Sequence, residues 1–229
     1  MTWPRAVLLD FYGTVVEEDV ECVHEACVAI AKAAETPTVP EEVGRYWQER
    51  FNVLCFESIG PTFRSEYEIE VLSIEHVLRQ FRVPLNAREL AEPLFKVWRR
   101  PRILPHSREA IAAIPVPVCL VSNVDNPQLA EALEFNSLSF DLIVTSEDCR
   151  AYKPHPEMFL RALEMLGMTP GEVLHVGDSL TSDVQGAQAL GIPAMWINRD
   201  GRDLPEGVKP EYEARDLREV MRLFSGVRG

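Results

Sequence analysis

Ala6-Val7-Leu8-Leu9-Asp10-Phe11-Tyr12-Gly13-Thr14 is the stretch on which the reading of this chain turns. Ala6–Leu9 is apolar at every position, so it reads as a strand covered on both faces rather than one with a solvated side. A carboxylate, Asp10, follows it at once, and Gly13-Thr14 can turn the chain tightly. A carboxylate at the mouth of a buried strand stands where a covalent nucleophile would sit.

The same texture returns in the second half. Apolar runs at 116–121, 142–144, 173–176 and 193–197 read as strands. Helical patterns at 126–135, 156–166 and 182–190 separate them. Continuous apolar strands alternating with helices predict an α/β protein with a doubly wound parallel sheet. Between the first strand and this half the texture differs. Residues 17–34, 41–56, 65–81 and 87–98 read as amphipathic helices, punctuated by Pro37, Pro40, Pro61, Pro84 and Pro101. The expected organisation is a core of 1–16 and 101–229 with a helical cap, 17–100, inserted after the first strand. The basic run Arg99-Arg100-Pro101-Arg102 reads as a solvated hinge where the chain re-enters the core.

Composition narrows the function. The 229 residues have 46% hydrophobic and 26% charged content, the balance of a folded soluble chain. A net charge of −13 argues against nucleic acid and anionic membrane surfaces, which attract basic fields. It leaves room for a small anionic substrate at a locally positive site. No apolar stretch reaches the length of a membrane span, and the short run before Asp10 is too brief for a signal core. Cys22, Cys27, Cys55, Cys119 and Cys149 are odd in number and scattered, which suggests reduced thiols in a cytoplasmic protein. Cys22, His24 and Cys27 resemble metal-ligand spacing. Val20, Val23, Cys27 and Ile30 fall on one helical stripe, however, and packing is the expected role.

Polar residues recur at the expected strand ends, and in a parallel sheet these ends converge on one crevice. They are Asp10, then Ser122-Asn123, then Lys153, then Asp178 followed by Asp183. Singly, each could be a cap or a turn residue. Together they supply a carboxylate nucleophile, a hydroxyl and amide cradle, a cation and further carboxylates. Displacement at a phosphoryl group needs this set. Neighbouring carboxylates with hard oxygen donors point to Mg2+ rather than zinc.

In order, DFYGT, LVSN, YKPHPEMF and HVGDSLTSDVQGA resemble the four motifs of haloacid dehalogenase superfamily hydrolases of the type with a helical cap after the first motif. The resemblance spans the chain, with the cap matched only in kind. It implies that Asp10 forms an aspartyl intermediate, that Ser122 and Asn123 bind phosphoryl oxygens, and that Lys153 stabilises developing charge. It implies Mg2+ held by Asp10, Asp178 and the main-chain carbonyl of Tyr12, with Asp183 assisting through water and Thr14 holding the first loop at the phosphate site. The implied partner is a small molecule, a phosphate ester.

The superfamily contains phosphatases and 2-haloacid dehalogenases, and Tyr12 divides the reading. Phosphatases of this type usually carry a second aspartate there, whereas D-x-Y-G-T resembles the dehalogenase form. Other positions depart from dehalogenases. Asp178 is retained, Phe159 stands where they place a tyrosine, and 36–40 lacks their arginine, although Arg45 or Arg50 could substitute. The expectation is therefore a Mg2+-dependent phosphatase, with a metal-independent dehalogenase and a weakly catalytic binding protein as alternatives. Tyr12 leaves the acid/base role open. A phenol can donate a proton but is a poor base at neutral pH, and Glu17, Glu18 and Asp19 are candidates by position.

Overall fold

The computed structural model describes residues 3–225. Six parallel strands form one sheet in the order β3-β2-β1-β4-β5-β6. They are β1 (Ala6–Leu9), β2 (Val118–Ser122), β3 (Leu142–Thr145), β4 (Val173–Gly177), β5 (Ala194–Ile197) and β6 (Tyr212–Ala214). β1 pairs with β2 on one side and β4 on the other, placing Leu9 beside Leu120 and Val176. The chain thus winds outward from β1 to β3 and then resumes across β1 at β4, opening a crevice at the carboxyl ends of the central strands.

Period-two alternation inside β1 builds two cores. Val7 and Leu9 join Leu120, Leu174 and Val176 on one face. Ala6 and Leu8 join Val121, Phe159, Val173 and Trp196 on the other. The helices α1 (Val20–Ala33), α2 (Pro40–Glu57), α3 (Glu66–Gln80) and α4 (Ala87–Arg99) form a third cluster around Ile30, Trp47, Ile74, Leu94 and Trp98. The chain leaves and re-enters the sheet layer at one place. There Glu17 N–H donates to the Arg102 carbonyl (2.8 Å) and Leu104 N–H to the Val15 carbonyl (3.0 Å). The remaining helices are α5 (Ser107–Ala113), α6 (Asn126–Phe135), α7 (Ser146–Cys149), α8 (Glu157–Leu166), α9 (Gly186–Gln188) and α10 (Val220–Ser225). Among the described residues, no helix is long and apolar enough to cross a membrane.

Four local expectations are revised. The strand expected at 116–121 starts at Val118 and runs on to Ser122, which pairs with Thr145; Pro117 lacks an amide and contributes its carbonyl to Val7 instead. The helix expected over 182–190 is a π-helical turn, Leu180–Gln185, running into the short α9. Val20 is 65% exposed, because it occupies the first position of α1, ahead of the turns that bury Cys27 and Ile30. α5 and β6 did not emerge from periodicity: the first is seven residues long and the second three.

Candidate active site

Asp10 leaves β1 into a loop wound on one carbonyl: the amides of Val15 (2.7 Å) and Val16 (3.1 Å) both donate to Phe11 O. Gly13 sits at φ +79°, where a Cβ would also lie 2.7 Å from the Asp178 carboxyl carbon. Glycine therefore serves both the turn and the approach of β4's loop. The loop amides go to Phe11 and Val16, so among the described residues no main-chain donor reaches the Tyr12 carbonyl.

Lys153 ties the strand ends together. Its ammonium donates to Asp10 Oδ1 (2.7 Å), Asp183 Oδ1 (2.6 Å) and the Val121 carbonyl (2.9 Å), using all three protons. All three side chains are buried. Burial alone would lower the lysine pKa, but Asp10 and Asp183 reverse this and raise it. Asp183 is the mirror case. Burial would raise it, but Lys153 and His175 hold it well below the ordinary carboxylate range. Asp10 is raised, by burial first and by Asp183 next, with Lys153 opposing. Asp178 is raised well above its usual value by burial, Asp10 and Asp183. Carboxylate oxygens of Asp10, Asp178 and Asp183 all lie within 4.8 Å of one another. Lys153 is shared by Asp10 and Asp183 and leaves Asp178 beside them without an ammonium of its own, and this donor set suits a hard divalent cation such as Mg2+.

The expected residues divide by what they touch. Asp10, Ser122, Asn123, Lys153, Asp178 and Asp183 line one cavity of about 290 Å3. Thr14 is not part of the lining; its hydroxyl leans on Asp178 Oδ1 at 3.5 Å. The Asn123 side chain is committed to the Lys153 backbone, accepting from its amide (2.8 Å) and donating to its carbonyl (3.2 Å). Asp183 has neither oxygen free: Oδ1 serves Lys153 and His175 Nε2 (2.9 Å), and Oδ2 accepts from Ser179 N–H (3.0 Å). Gly177 admits that approach, because a Cβ there would fall 2.2 Å from the Asp183 carboxyl carbon. Tyr12 lines the cavity, but its hydroxyl donates to the Trp98 carbonyl at the end of α4 (2.5 Å), and burial raises its pKa. Arg45 and Arg50 lie outside the lining. Lys153 is the one basic residue among the described residues that form it.

Several contributors escaped the sequence. His175, in the middle of β4, is fully buried and orients Asp183. A lone histidine in an otherwise apolar buried strand was the signal that a polar partner awaited it. Arg199 donates to the Gly13 carbonyl (2.6 Å) and Arg202 to the Asp178 carbonyl (2.8 Å), bracing both acidic loops from outside. Asp125 sits at the N-cap of α6 but does not cap it. Its carboxylate accepts the Glu66 (2.9 Å) and Tyr67 (3.1 Å) amides that open α3, joining the loop after Ser122-Asn123 to the helical layer. Four further acids, Glu18, Asp19, Glu66 and Glu70, line the cavity. Glu17 turns away toward Arg102 (3.3 Å).

The family model for haloacid dehalogenase-like hydrolases matches residues 4–191. A phosphoserine phosphatase of Thermus thermophilus is 33% identical over 142 residues, 60% of this chain and 57% of that protein. The (S)-2-haloacid dehalogenase 4A of Burkholderia cepacia is 24% identical over 96% of this chain and 92% of its own length. The solved structure of L-2-haloacid dehalogenase from Xanthobacter autotrophicus superposes with a TM-score of 0.75 at 21% identity, covering 99% of both chains, a likeness of fold.

Proposed function

The chain belongs to the haloacid dehalogenase-like hydrolase family, and within it we propose a Mg2+-dependent phosphohydrolase acting on a small phosphate ester, with 17–100 as its cap. One observation carries the reading: carboxylate oxygens of Asp10, Asp178 and Asp183 lie within 4.8 Å of one another, and the single ammonium there pairs with only Asp10 and Asp183. Displacement of halide from carbon uses no divalent cation, and Asp178 would then stand as an uncompensated charge beside an anionic substrate. The cavity also offers no arginine to a 2-haloacid carboxylate or to departing halide. Relatives of both kinds exist, and Tyr12 favours the dehalogenase, so the alternative has a direct test below.

Mg2+ would be held by Asp10, Asp178 and the Tyr12 carbonyl, with Asp183 outside direct contact because its oxygens are occupied. Bound there, it would neutralise the phosphoryl group and the carboxylates. The residues supply the rest. Lys153 holds Asp10 by Oδ1, leaving Oδ2 without a donor among the described residues and free to attack phosphorus. The Oδ–P bond forms as the ester P–O bond breaks, and water then hydrolyses the aspartyl-phosphate. Ser122, buried in the lining and without a side-chain partner among the described residues, would present its hydroxyl to the phosphoryl oxygens, and the Asn123 backbone rather than its side chain would complete the cradle. The departing alcohol needs a proton, and the tethered Tyr12 phenol does not provide it. Glu18 lines the same cavity while staying in contact with solvent, and partial burial of its carboxyl, with Asp19 and Asp10 nearby, shifts its pKa upward, toward the acid form.

Hydrolysis of p-nitrophenyl phosphate or acetyl phosphate should require Mg2+, stop with EDTA and vanish in Asp10→Asn. Halide release from 2-chloropropionate in EDTA, without phosphatase activity, would transfer the assignment to the dehalogenases.

A further inference from the structure

The cavity has two chemically different ends. At the sheet lie Asp10, Lys153 and Ser122; opposite, the helices contribute Asp19, Glu66 and Glu70 with the indoles of Trp47 and Trp98. Glu66 and Glu70 are one turn apart on α3 and share a face. The helix N-terminus accounts for an acid at Glu66, in its first turn, but not for Glu70 farther in. Glu70 is only 4% exposed. The Trp47 indole stands beside it but donates to Ser73 Oγ at 2.9 Å, so no donor meets the Glu70 carboxylate in hydrogen-bonding geometry among the described residues. None meets the Glu66 carboxylate either. Asp19 receives one bond, from Trp98 Nε1 at 2.8 Å. Three acids therefore face this end of the cavity with one well-formed bond between them, the Trp47 indole and the Asp19 amide standing close by, and no cation among the described residues that form it. Buried acids without a cation hold their protons, and a bound cation would let them ionise and pair with it.

A phosphate ester bound at Asp10 extends its organic part toward this wall. An acidic tail would oppose their ionisation and a neutral one would offer them no counter-charge. An ammonium would pair with Glu70 and Glu66 and rest against indole faces that tolerate cations. We propose that the wall formed by Asp19, Glu66 and Glu70 is an ammonium subsite, and that the substrates are phosphate monoesters of amine-bearing alcohols. The inference rests on the phosphohydrolase reading above and narrows it to a substrate class.

The test compares three esters on the purified full chain with Mg2+: O-phosphoethanolamine, n-propyl phosphate of matching length, and 2-phosphoglycolate, with p-nitrophenyl phosphate as a general reporter. The expected kcat/KM for O-phosphoethanolamine exceeds that for propyl phosphate by about tenfold or more, with phosphoglycolate lowest. In Glu70→Gln and in Glu66→Gln, this ratio falls toward one through KM for the amine. The wild-type ratio alone decides the matter if a variant fails to fold. Turnover of p-nitrophenyl phosphate with a ratio at or below one would overturn the ammonium subsite alone. No Mg2+-dependent turnover of any ester would overturn the phosphohydrolase reading and this inference with it.

Discussion

Removing one oxygen from Tyr12 separates its two possible roles. Tyr12→Phe keeps the ring, which packs edge-on against Phe11 with centroids 5.1 Å apart, and deletes the hydroxyl that donates to the Trp98 carbonyl at 2.5 Å. That carbonyl lies in the last turn of α4, where main-chain acceptors have no helical partner. Its loss should cost about 1–3 kcal/mol, the penalty of a half-buried acceptor left unpaired. For a chain of this size, that corresponds to a melting temperature lower by roughly 2–12 °C. If the phenol instead protonated the leaving group, its removal would cost about 10²–10⁴ in rate. The tether reading therefore expects a lower Tm by differential scanning fluorimetry and a kcat on p-nitrophenyl phosphate reduced by less than about tenfold. An unchanged Tm with kcat down a hundredfold or more would refute it and place Tyr12 in the chemistry.

Three other perturbations test the scaffold. Asp125→Ala removes both acceptors at the start of α3 and should destabilise by about 0.5–2 kcal/mol, raising KM more than it lowers kcat; Asp125→Asn, which keeps one acceptor oxygen, should recover part of both. Gly13→Ala puts a Cβ 2.7 Å from the Asp178 carboxyl at a positive φ, so the Mg2+ concentration for half-maximal activity should rise, and an unshifted Mg2+ titration would contradict the placement of Asp178. Glu70 is pushed up to about 8, by burial first and then by Asp19, and it also faces Glu66 and the Trp47 indole. The folded state thus prefers its protonated form. The stability it contributes is present below about pH 4.5 and is lost as the pH rises toward 8, by up to about 5 kcal/mol. Glu70→Gln should therefore melt above the wild type at pH 8 and level with it near pH 5; a gap that ignores pH would refute the unpaired burial.

The sheet was legible because apolar runs such as Ala6–Leu9 tolerate no other placement, and Asp10, Ser122 and Asp178 were legible because they follow such runs directly. Residues whose roles depend on a partner far along the chain were not. Tyr12 stood out as an anomaly, but its partner Trp98 lies 86 residues away across the helical insertion. Glu66 and Glu70 have the spacing of a solvated helical face, and local sequence does not distinguish that face from a cavity wall; the orientation of α3 does, and Asp125, from a different layer, pins it. Asp183 illustrates the same limit within the motifs. Its position suggested a metal neighbour, yet its oxygens hold Lys153, His175 and the Ser179 amide, so its first effect is to keep the lysine aimed at Asp10. A single buried ammonium bridging Asp10 and Asp183 fixes the proposed nucleophile from behind, and under that proposal the selection of a substrate is left to the helices. There the carboxylates stand unpaired. If the sheet end takes a phosphate ester with Mg2+, as proposed, discrimination falls to the opposite wall, whose acids keep their protons until a cation offers them a partner.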